Sequence, residues 1–201
     1  KNLFLDSKST TRERIIRGSY TLDLFSGSQD VELGAERAQT ILDSSLLLGM
    51  PNPNGIASAA VGGLVPVNVP NARSTVEEMR YEPFVIHNWV FNSRMSLESS
   101  ILYEDSQISQ RGEISKKRNY DYVKPKLDFR YDLTPTIQLR GTMEKIVQQL
   151  SFNDFVAALD TRDEDRDVQF GNENLKQEWY WNYEFNAEYR LPNDIGVASA
   201  R

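Results

Sequence analysis

Residues 123–133 read Val-Lys-Pro-Lys-Leu-Asp-Phe-Arg-Tyr-Asp-Leu, and residues 137–147 read Ile-Gln-Leu-Arg-Gly-Thr-Met-Glu-Lys-Ile-Val. Apolar and polar residues alternate in both stretches, except at Lys145-Ile146 near the end of the second. A strict period of two predicts a β-strand with one apolar and one polar face. The short link Thr134-Pro135-Thr136, in which proline fixes φ, predicts an antiparallel hairpin.

The same alternation predicts more strands along the chain. They cover residues 16–24, 31–46, 76–91, 95–104, 178–191 and 195–200. Composition predicts short turns at residues 26–30, 92–94, 134–136 and 192–194. It also predicts a polar loop or an entering segment over residues 1–12 and long loops over residues 49–75, 107–119 and 151–175. The chain is therefore expected to be all-β with about eight strands.

Strand length and loop arrangement favour a membrane barrel over a soluble sandwich. The pattern at residues 178–191 would reach about 45 Å at roughly 3.3 Å per residue. A strand tilted by about 40° then crosses a hydrocarbon core of roughly 25 Å and projects beyond it. Short turns at one end and long loops at the other are typical of an antiparallel transmembrane β-barrel. A soluble β-sandwich is the alternative, and it predicts extraction without detergent.

Composition excludes several classes of protein. The 201 residues include no cysteine, so neither a disulfide framework nor a thiolate metal site is available. The net charge of -6 argues against nucleic acid as a partner. The sequence contains no run of eighteen apolar residues, so it predicts no transmembrane helix. Lys1-Asn2-Leu3-Phe4-Leu5 is not followed by the apolar region of a signal peptide. Phosphate-loop, nucleophile-elbow and zinc-protease motifs are absent from the sequence, so we expect neither an enzyme nor a cofactor.

Two stretches resemble TonB-dependent outer-membrane receptors. Residues 122–135 and their continuation from Gln138 to Phe155 are similar to a late segment of the barrel in that family, with Gln149-Leu150-Ser151-Phe152 in place of an Arg-Pro-Ser-Phe-like stretch. Residues 171–178 resemble the family's Asn-Pro-x-Leu-x-Pro-Glu element, with both prolines replaced. The resemblance covers residues 120–195 best.

The resemblance implies a fold and a location. Family barrels have twenty-two strands filled by an N-terminal plug that carries a TonB box, whereas residues 1–201 show neither plug nor box and end without a terminal aromatic residue. We therefore expect a partial barrel from a larger receptor in the outer membrane of a Gram-negative bacterium. The implied partners are outer-membrane lipid and lipopolysaccharide, the TonB complex through a plug outside this stretch, and a small nutrient such as a siderophore, vitamin, sugar or peptide.

Few residues are candidates for a site. His87 is the sole histidine in the sequence and is expected to be structural, because no carboxylates cluster near it in the sequence. The acidic run at residues 160–167 could bind a divalent cation but lacks the glycine turn of a calcium loop, and Arg162 and Arg166 neutralise it. Lys116-Lys117-Arg118 could contact lipopolysaccharide phosphates or simply keep a loop soluble. No catalytic, cofactor or metal residue is assigned, and the ligand-binding residues stay unknown.

Two functions remain open at this stage. The first is nutrient uptake, with loops 49–75 and 151–175 facing the ligand. The second is a structural or interaction role in an envelope assembly, with the apolar loop 49–75 as the docking surface for a protein partner. A loop folded onto itself or into the lumen is the simpler interpretation of that segment.

Overall fold

Long antiparallel strands make up nearly all of the structure, a computed structural model that describes residues 2–113, 115–155, 158–159, 168–169, 175–192 and 195–201. The strands are β1 (Phe4–Leu24), β2 (Gln29–Met50), β3 (Val65–Val67), β4 (Arg73–Asn92), β5 (Met95–Gly112), β6 (Lys116–Asp132), β7 (Ile137–Val147), β8 (Ala158–Leu159), β9 (Val168–Gln169), β10 (Trp179–Arg190) and β11 (Val197–Ala200). Single 3-10 turns occur at Phe25–Gly27, Ala59–Val61 and Phe152–Phe155. None of the helical segments in the described residues is long and apolar enough to cross a membrane.

One continuous antiparallel sheet contains all the long strands. Its order is β1-β2-β4-β5-β6-β7-β10-β11, with β3 paired to the end of β2, and β8 and β9 form a separate pair. Each long strand pairs with the next one along the chain, as in an up-and-down meander. The predicted all-β antiparallel architecture is confirmed, and the main path contains the expected eight strands.

The hairpin of β6 and β7 forms as its sequence predicts. Leu127, Phe129 and Tyr131 are the cross-strand partners of Met143, Gly141 and Leu139. The Thr134 hydroxyl closes the turn by accepting a hydrogen bond from the backbone N–H of Ile137 at 2.9 Å. The apolar residues of the two strands therefore share one face of the sheet.

Two predicted loops are in fact strand. Residues 1–12 were expected to be a polar loop or an entering segment, but β1 begins at Phe4 and pairs with β2 along its whole 21-residue length. Residues 107–119 were also expected to form a loop, but β5 extends to Gly112 and β6 starts at Lys116. The connection between β5 and β6 is therefore short, and the predicted alternation of short turns and long loops is wrong at this position.

Both errors have the same physical cause. These segments are the loop-side ends of strands and carry mostly polar residues on both faces, so no hydrophobic period marks them. Backbone pairing continues the sheet, since Gln107 pairs with Asn119 and Ser109 pairs with Lys117. The Gln107 amide also donates a hydrogen bond to Asn119 Oδ1 at 2.8 Å. Strand propensity is only a weak guide where neither face is apolar.

The loop between β2 and β4 packs against itself. It spans residues 51–72, slightly less than the predicted 49–75, and contains β3 and an isolated bridge between Ser58 and Leu64. Val61 and Val69 are only 2% and 3% exposed. Ile56, at 88% exposed, is the most exposed large apolar side chain of this loop among the described residues. The interpretation of a loop folded onto itself is confirmed, whereas its use as a docking surface stays a prediction.

The segment after β7 returns over the sheet. Phe155 is 2% exposed and packs with Leu42, Val76 and Ile108 of three neighbouring strands. Leu150, Phe152 and Leu175 extend this cluster. The predicted loop at 151–175 lies mostly outside the described residues, but its two described ends pack on β2, β4, β5 and β6 at the loop side of one sheet face.

Candidate functional site on the polar face of the sheet

The two faces of the sheet differ sharply in chemistry. Cross-strand partners point to the same face, so one row of partners can be followed across the sheet. One such row is apolar, running through Trp89, Leu97, Phe129, Gly141 and Phe185. The row displaced by one residue is polar and runs through Asn88, Glu98, Asp128, Thr142 and Glu184.

The apolar face is exposed rather than packed. Phe185 is 63% exposed, and Trp179, Tyr183 and Tyr189 of the same strand are also exposed. No described segment of the chain covers these side chains, and the aromatic pair Trp181 and Tyr183 stacks on the open face with ring centroids 6.3 Å apart. An exposed apolar surface of this extent needs a nonpolar environment.

The polar face holds an ion-pair network across five strands. On β6, the Lys124 ammonium lies 2.9 Å from Glu82 Oε1 and 2.7 Å from Glu104 Oε2. Arg80 Nε lies 3.1 Å from Glu82 Oε2, and Arg80 Nη2 lies 3.9 Å from Glu36 Oε1. Arg17 Nη1 extends the network to β1, 3.8 Å from Glu36. Each of the three cations therefore lies within 4 Å of at least one carboxylate of the network.

Glu104 is the centre of this network. Its side chain is fully buried, and it receives hydrogen bonds from Ser106, Gln149 and Gln177 in addition to Lys124. Gln149 and Gln177 belong to the two described ends of the segment that folds back over the sheet. The buried carboxylate therefore connects the wall of the sheet to the chain that covers it.

Nearer the short turns, the polar face is open. A cavity of about 590 Å³ is lined there by Glu98, Asp128, Arg130, Arg140 and Glu184 with neighbouring polar groups. Arg130 and Arg140 are direct cross-strand partners, and such like-charged pairs are unfavourable unless anions compensate them. Asp132 supplies one anion, with Oδ2 2.8 Å from Arg130 Nη2. That contact and the Gln138 amide hold the pKa of the Asp132 carboxyl, which lies at the turn, below its usual value.

The site residues predicted from the sequence lie in different parts of the structure. His87 lies on the apolar face of β4, where its Nε2 is 2.9 Å from Gln29 Oε1. Lys116, Lys117 and Arg118 are the first residues of β6 rather than part of a loop, and alternation places Lys117 on the face opposite to its two neighbours. The three basic side chains therefore do not form a single patch. The acidic run 160–167 lies outside the described residues, and the described part of the chain contains no cluster of three or more metal-ligating side chains.

Sequence reasoning missed the ion-pair network. Its members are far apart in the sequence: Lys124 is 20 positions from Glu104 and 42 positions from Glu82. The signal available in the sequence was that charged residues fill the polar positions of several strands, which predicts a charged face but not its pairs.

A long-stranded antiparallel sheet with an exposed apolar face and an ion-paired polar face is the wall of a β-barrel. A comparison with solved structures agrees: the fold matches the ferric citrate transporter FecA, in a crystal structure of its unliganded form, with a TM-score of 0.64 at 14% sequence identity. The match covers 99% of this chain and 28% of FecA, so the chain spans just over a quarter of that protein's length. No family model matches the sequence, and no curated protein matches it.

Proposed function

We propose that this chain is part of the barrel of a TonB-dependent transporter that takes up a nutrient across the outer membrane of a Gram-negative bacterium. The observation that carries the proposal is the division of the sheet into an exposed apolar face and an ion-paired polar face. The likeness to a portion of FecA supports the barrel, and the resemblance of residues 120–195 to TonB-dependent receptors supports the class.

In this proposal the two faces have different tasks. The apolar face contacts the hydrocarbon core of the outer membrane, and the exposure of Phe185 and Tyr183 supports this assignment. The polar face lines the lumen, where its charges hold a plug or border the path of the nutrient. Energy from the TonB complex displaces the plug. The proposal assigns no catalytic residue and no cofactor.

The nutrient would be captured at the loop-side end of the barrel. The loop 51–72 and the segment between β7 and β10 both lie at that end. Deletion of both segments from the full-length protein should abolish ligand binding. Unchanged affinity in the double deletion would show that the ligand binds elsewhere.

Growth and uptake of a deletion strain test the proposal directly. The strain is compared with its parent under iron, vitamin and carbohydrate limitation, with the protein first shown to fractionate with the outer membrane. A transporter predicts a defect under one limitation that the wild-type gene restores. A protein that is in the outer membrane but gives no uptake defect favours a structural or interaction role, and a full-length chain lacking a plug and TonB box would point the same way.

A further inference from the structure

Glu78 of β4 is a buried carboxyl group without a partner. It lies on the polar face and is only 6% exposed. No hydrogen bond reaches Glu78 Oε1, and Glu78 takes part in no salt bridge among the described residues. Its strand is paired on both sides, with Thr40 of β2 and Ile108 of β5 opposite Glu78, so the burial does not depend on an open edge of the sheet. A carboxylate buried in this way loses its hydration without compensation.

The cations of the ion-pair network leave none for Glu78. Each of them lies within 4 Å of one or more other carboxylates; the cations are Arg17, Arg80 and Lys124, and the carboxylates are Glu36, Glu82 and Glu104. Glu78 is a further acidic group on the same face. Because both burial and neighbouring carboxylates disfavour its charged form, Glu78 fits these surroundings best when it is protonated.

Glu78 lies between the two places at which the chain after β7 contacts the sheet. We call the described ends of that chain, residues 148–155 and 175–178, the returning segment. On one side of Glu78, Phe155 packs on Ile108, which is the cross-strand partner of Glu78. On the other side, the returning segment donates hydrogen bonds to Glu104. The unpartnered carboxyl group therefore lies beside both contacts that hold the returning segment on the wall.

In the proposed barrel, Glu78 lies beyond the hydrocarbon core. The adjacent Glu77 points to the outer surface and pairs there with Arg111 at 3.8 Å, on the loop side of Tyr81, which is the first exposed aromatic side chain of β4. An outward-facing ion pair at this level indicates water or headgroups rather than acyl chains.

The surroundings of Glu78 favour its neutral form. Burial raises the pKa of the Glu78 carboxyl above its ordinary value. Arg80 on the same strand opposes this rise, whereas carboxylates from three strands add to it, namely Glu104, Glu82 and Glu13. β2 places the uncharged Thr40 opposite Glu78, and the side chains of the returning segment that contact Glu104 are the uncharged Gln149 and Gln177.

We propose that Glu78 is a proton-operated latch for the returning segment. While the carboxyl group is protonated, the returning segment stays on the wall. When the proton leaves to water, a charge appears beside Phe155 and near Glu104, so the returning segment lifts and the carboxylate is hydrated. Docking therefore takes up a proton. Between the pKa values of the exposed and the covered carboxyl, the docking equilibrium constant should fall by up to about tenfold per pH unit as the pH rises.

The mobility of a spin label in the full-length protein in detergent tests the latch. Ser151 is an exposed residue of the returning segment, and residues 1–201 contain no cysteine, so a single cysteine can be placed at 151 within this stretch. Between about pH 5 and pH 9 the label should change from restricted to mobile, because the raised pKa of Glu78 lies above the usual range of a carboxyl group. Glu78→Gln cannot ionise and should keep the label restricted throughout. Glu77→Gln removes the same charge from the outward face and should keep the wild-type pH profile.

Several results would overturn the latch. They are a label whose mobility does not change with pH, a wild-type pH profile in Glu78→Gln, or the loss of that profile in Glu77→Gln. Phe155→Ala should free the label at every pH, and a label that stays restricted in this variant would also contradict the proposal. If Glu78→Gln does not fold, Glu78→Leu replaces it with the same expected result.

The latch does not rest on the transport of a nutrient, because it concerns the sheet and the returning segment that covers it. Failure of the label experiment refutes the latch alone, whereas failure of the fractionation and uptake experiments refutes the proposed function. His87, the sole histidine of residues 1–201, lies on the opposite face near the short turns, so His87→Gln should leave the pH profile unchanged.

Discussion

Lys124 lies between two carboxylates from different strands, 2.7 Å from Glu104 and 2.9 Å from Glu82. The Glu104 side chain is 0% exposed, whereas those of Lys124 and Glu82 retain 19% and 11% of their exposure. A carboxylate removed from water to this degree needs both the cation and its hydrogen bonds to offset desolvation. The contact joins β4, β5 and β6 across the polar face, so its loss should affect the whole wall.

Lys124→Met should therefore destabilise the folded protein by about 3–5 kcal/mol, because it leaves Glu104 buried without a cation. Lys126→Met on the same strand is the matched control. Lys126 pairs with Asp128 at 2.7 Å but is 40% exposed, so its removal should cost about 1 kcal/mol or less. Both losses of stability are measured by unfolding the full-length protein in detergent and following the change in its gel mobility on heating. Equal effects of the two substitutions would contradict the central role of Glu104.

The ring of Phe84 on the neighbouring strand leaves no room for a side chain at Gly34. A Cβ at Gly34 would lie 2.3 Å from Phe84 Cζ and 2.9 Å from the backbone oxygen of Gly18. Gly34→Ala should therefore cost about 1–3 kcal/mol through overpacking. Gly18→Ala is the control, since nothing lies within 4 Å of a Cβ at that position. Thermal unfolding separates the two, and part of the loss should be recovered in the double variant G34A/F84L.

The two faces of β6 can be distinguished by spin labels. Residues 1–201 contain no cysteine, so single cysteines at Phe129 and Arg130 can be labelled within this stretch. In the membrane-inserted full-length protein, a label at 129 should collide mainly with dissolved oxygen, which concentrates in hydrocarbon. A label at 130 should collide mainly with a water-soluble nickel complex. The same preference at both positions would refute the assignment of the faces.

A charge on the apolar face should be costly. Phe185→Arg places a guanidinium among exposed aromatic side chains and should destabilise the inserted protein by about 2–4 kcal/mol if residue 185 lies near the middle of the bilayer. Asn182→Arg introduces the same side chain on the polar face, beside Glu144, and should cost less. The amount of each variant that reaches the outer membrane, with its unfolding in detergent, gives the comparison. An Asn182→Arg variant as unstable as Phe185→Arg would argue against lipid on the apolar face.

The sequence predicted the strands most accurately where one face is apolar. The end points of β7 agree with the prediction, and β10 differs from it by one residue at each end. In β4 the alternation was obscured because two residues of the polar face are apolar and buried. Val76 packs with Phe155, and the Phe84 ring lies against Gly34. The polar loop-side ends of β1, β5 and β6 show no hydrophobic period, so the sequence did not predict strands there.

The sequence predicted that the candidate site would be a charged face, but not which side chains pair within it. Charged residues at alternate positions of β6 indicated a charged face, and the structure has that face. The partners of Lys124 could not be read from the sequence, because Glu82 and Glu104 come from separate strands and the register decides which side chains meet.

By itself, the sequence determined the all-β architecture, the hairpin of β6 and β7 and the separation of apolar from charged residues, because each depends on a local period of two. The tertiary structure decided how far the strands extend, which charges pair, which end of the polar face is covered and where a carboxylate as buried as Glu104 can exist. Those features depend on the register between strands and on a returning segment, and both join residues that are distant in the chain. Periodicity reports the environment of one strand, whereas pairing and burial are properties of several strands together.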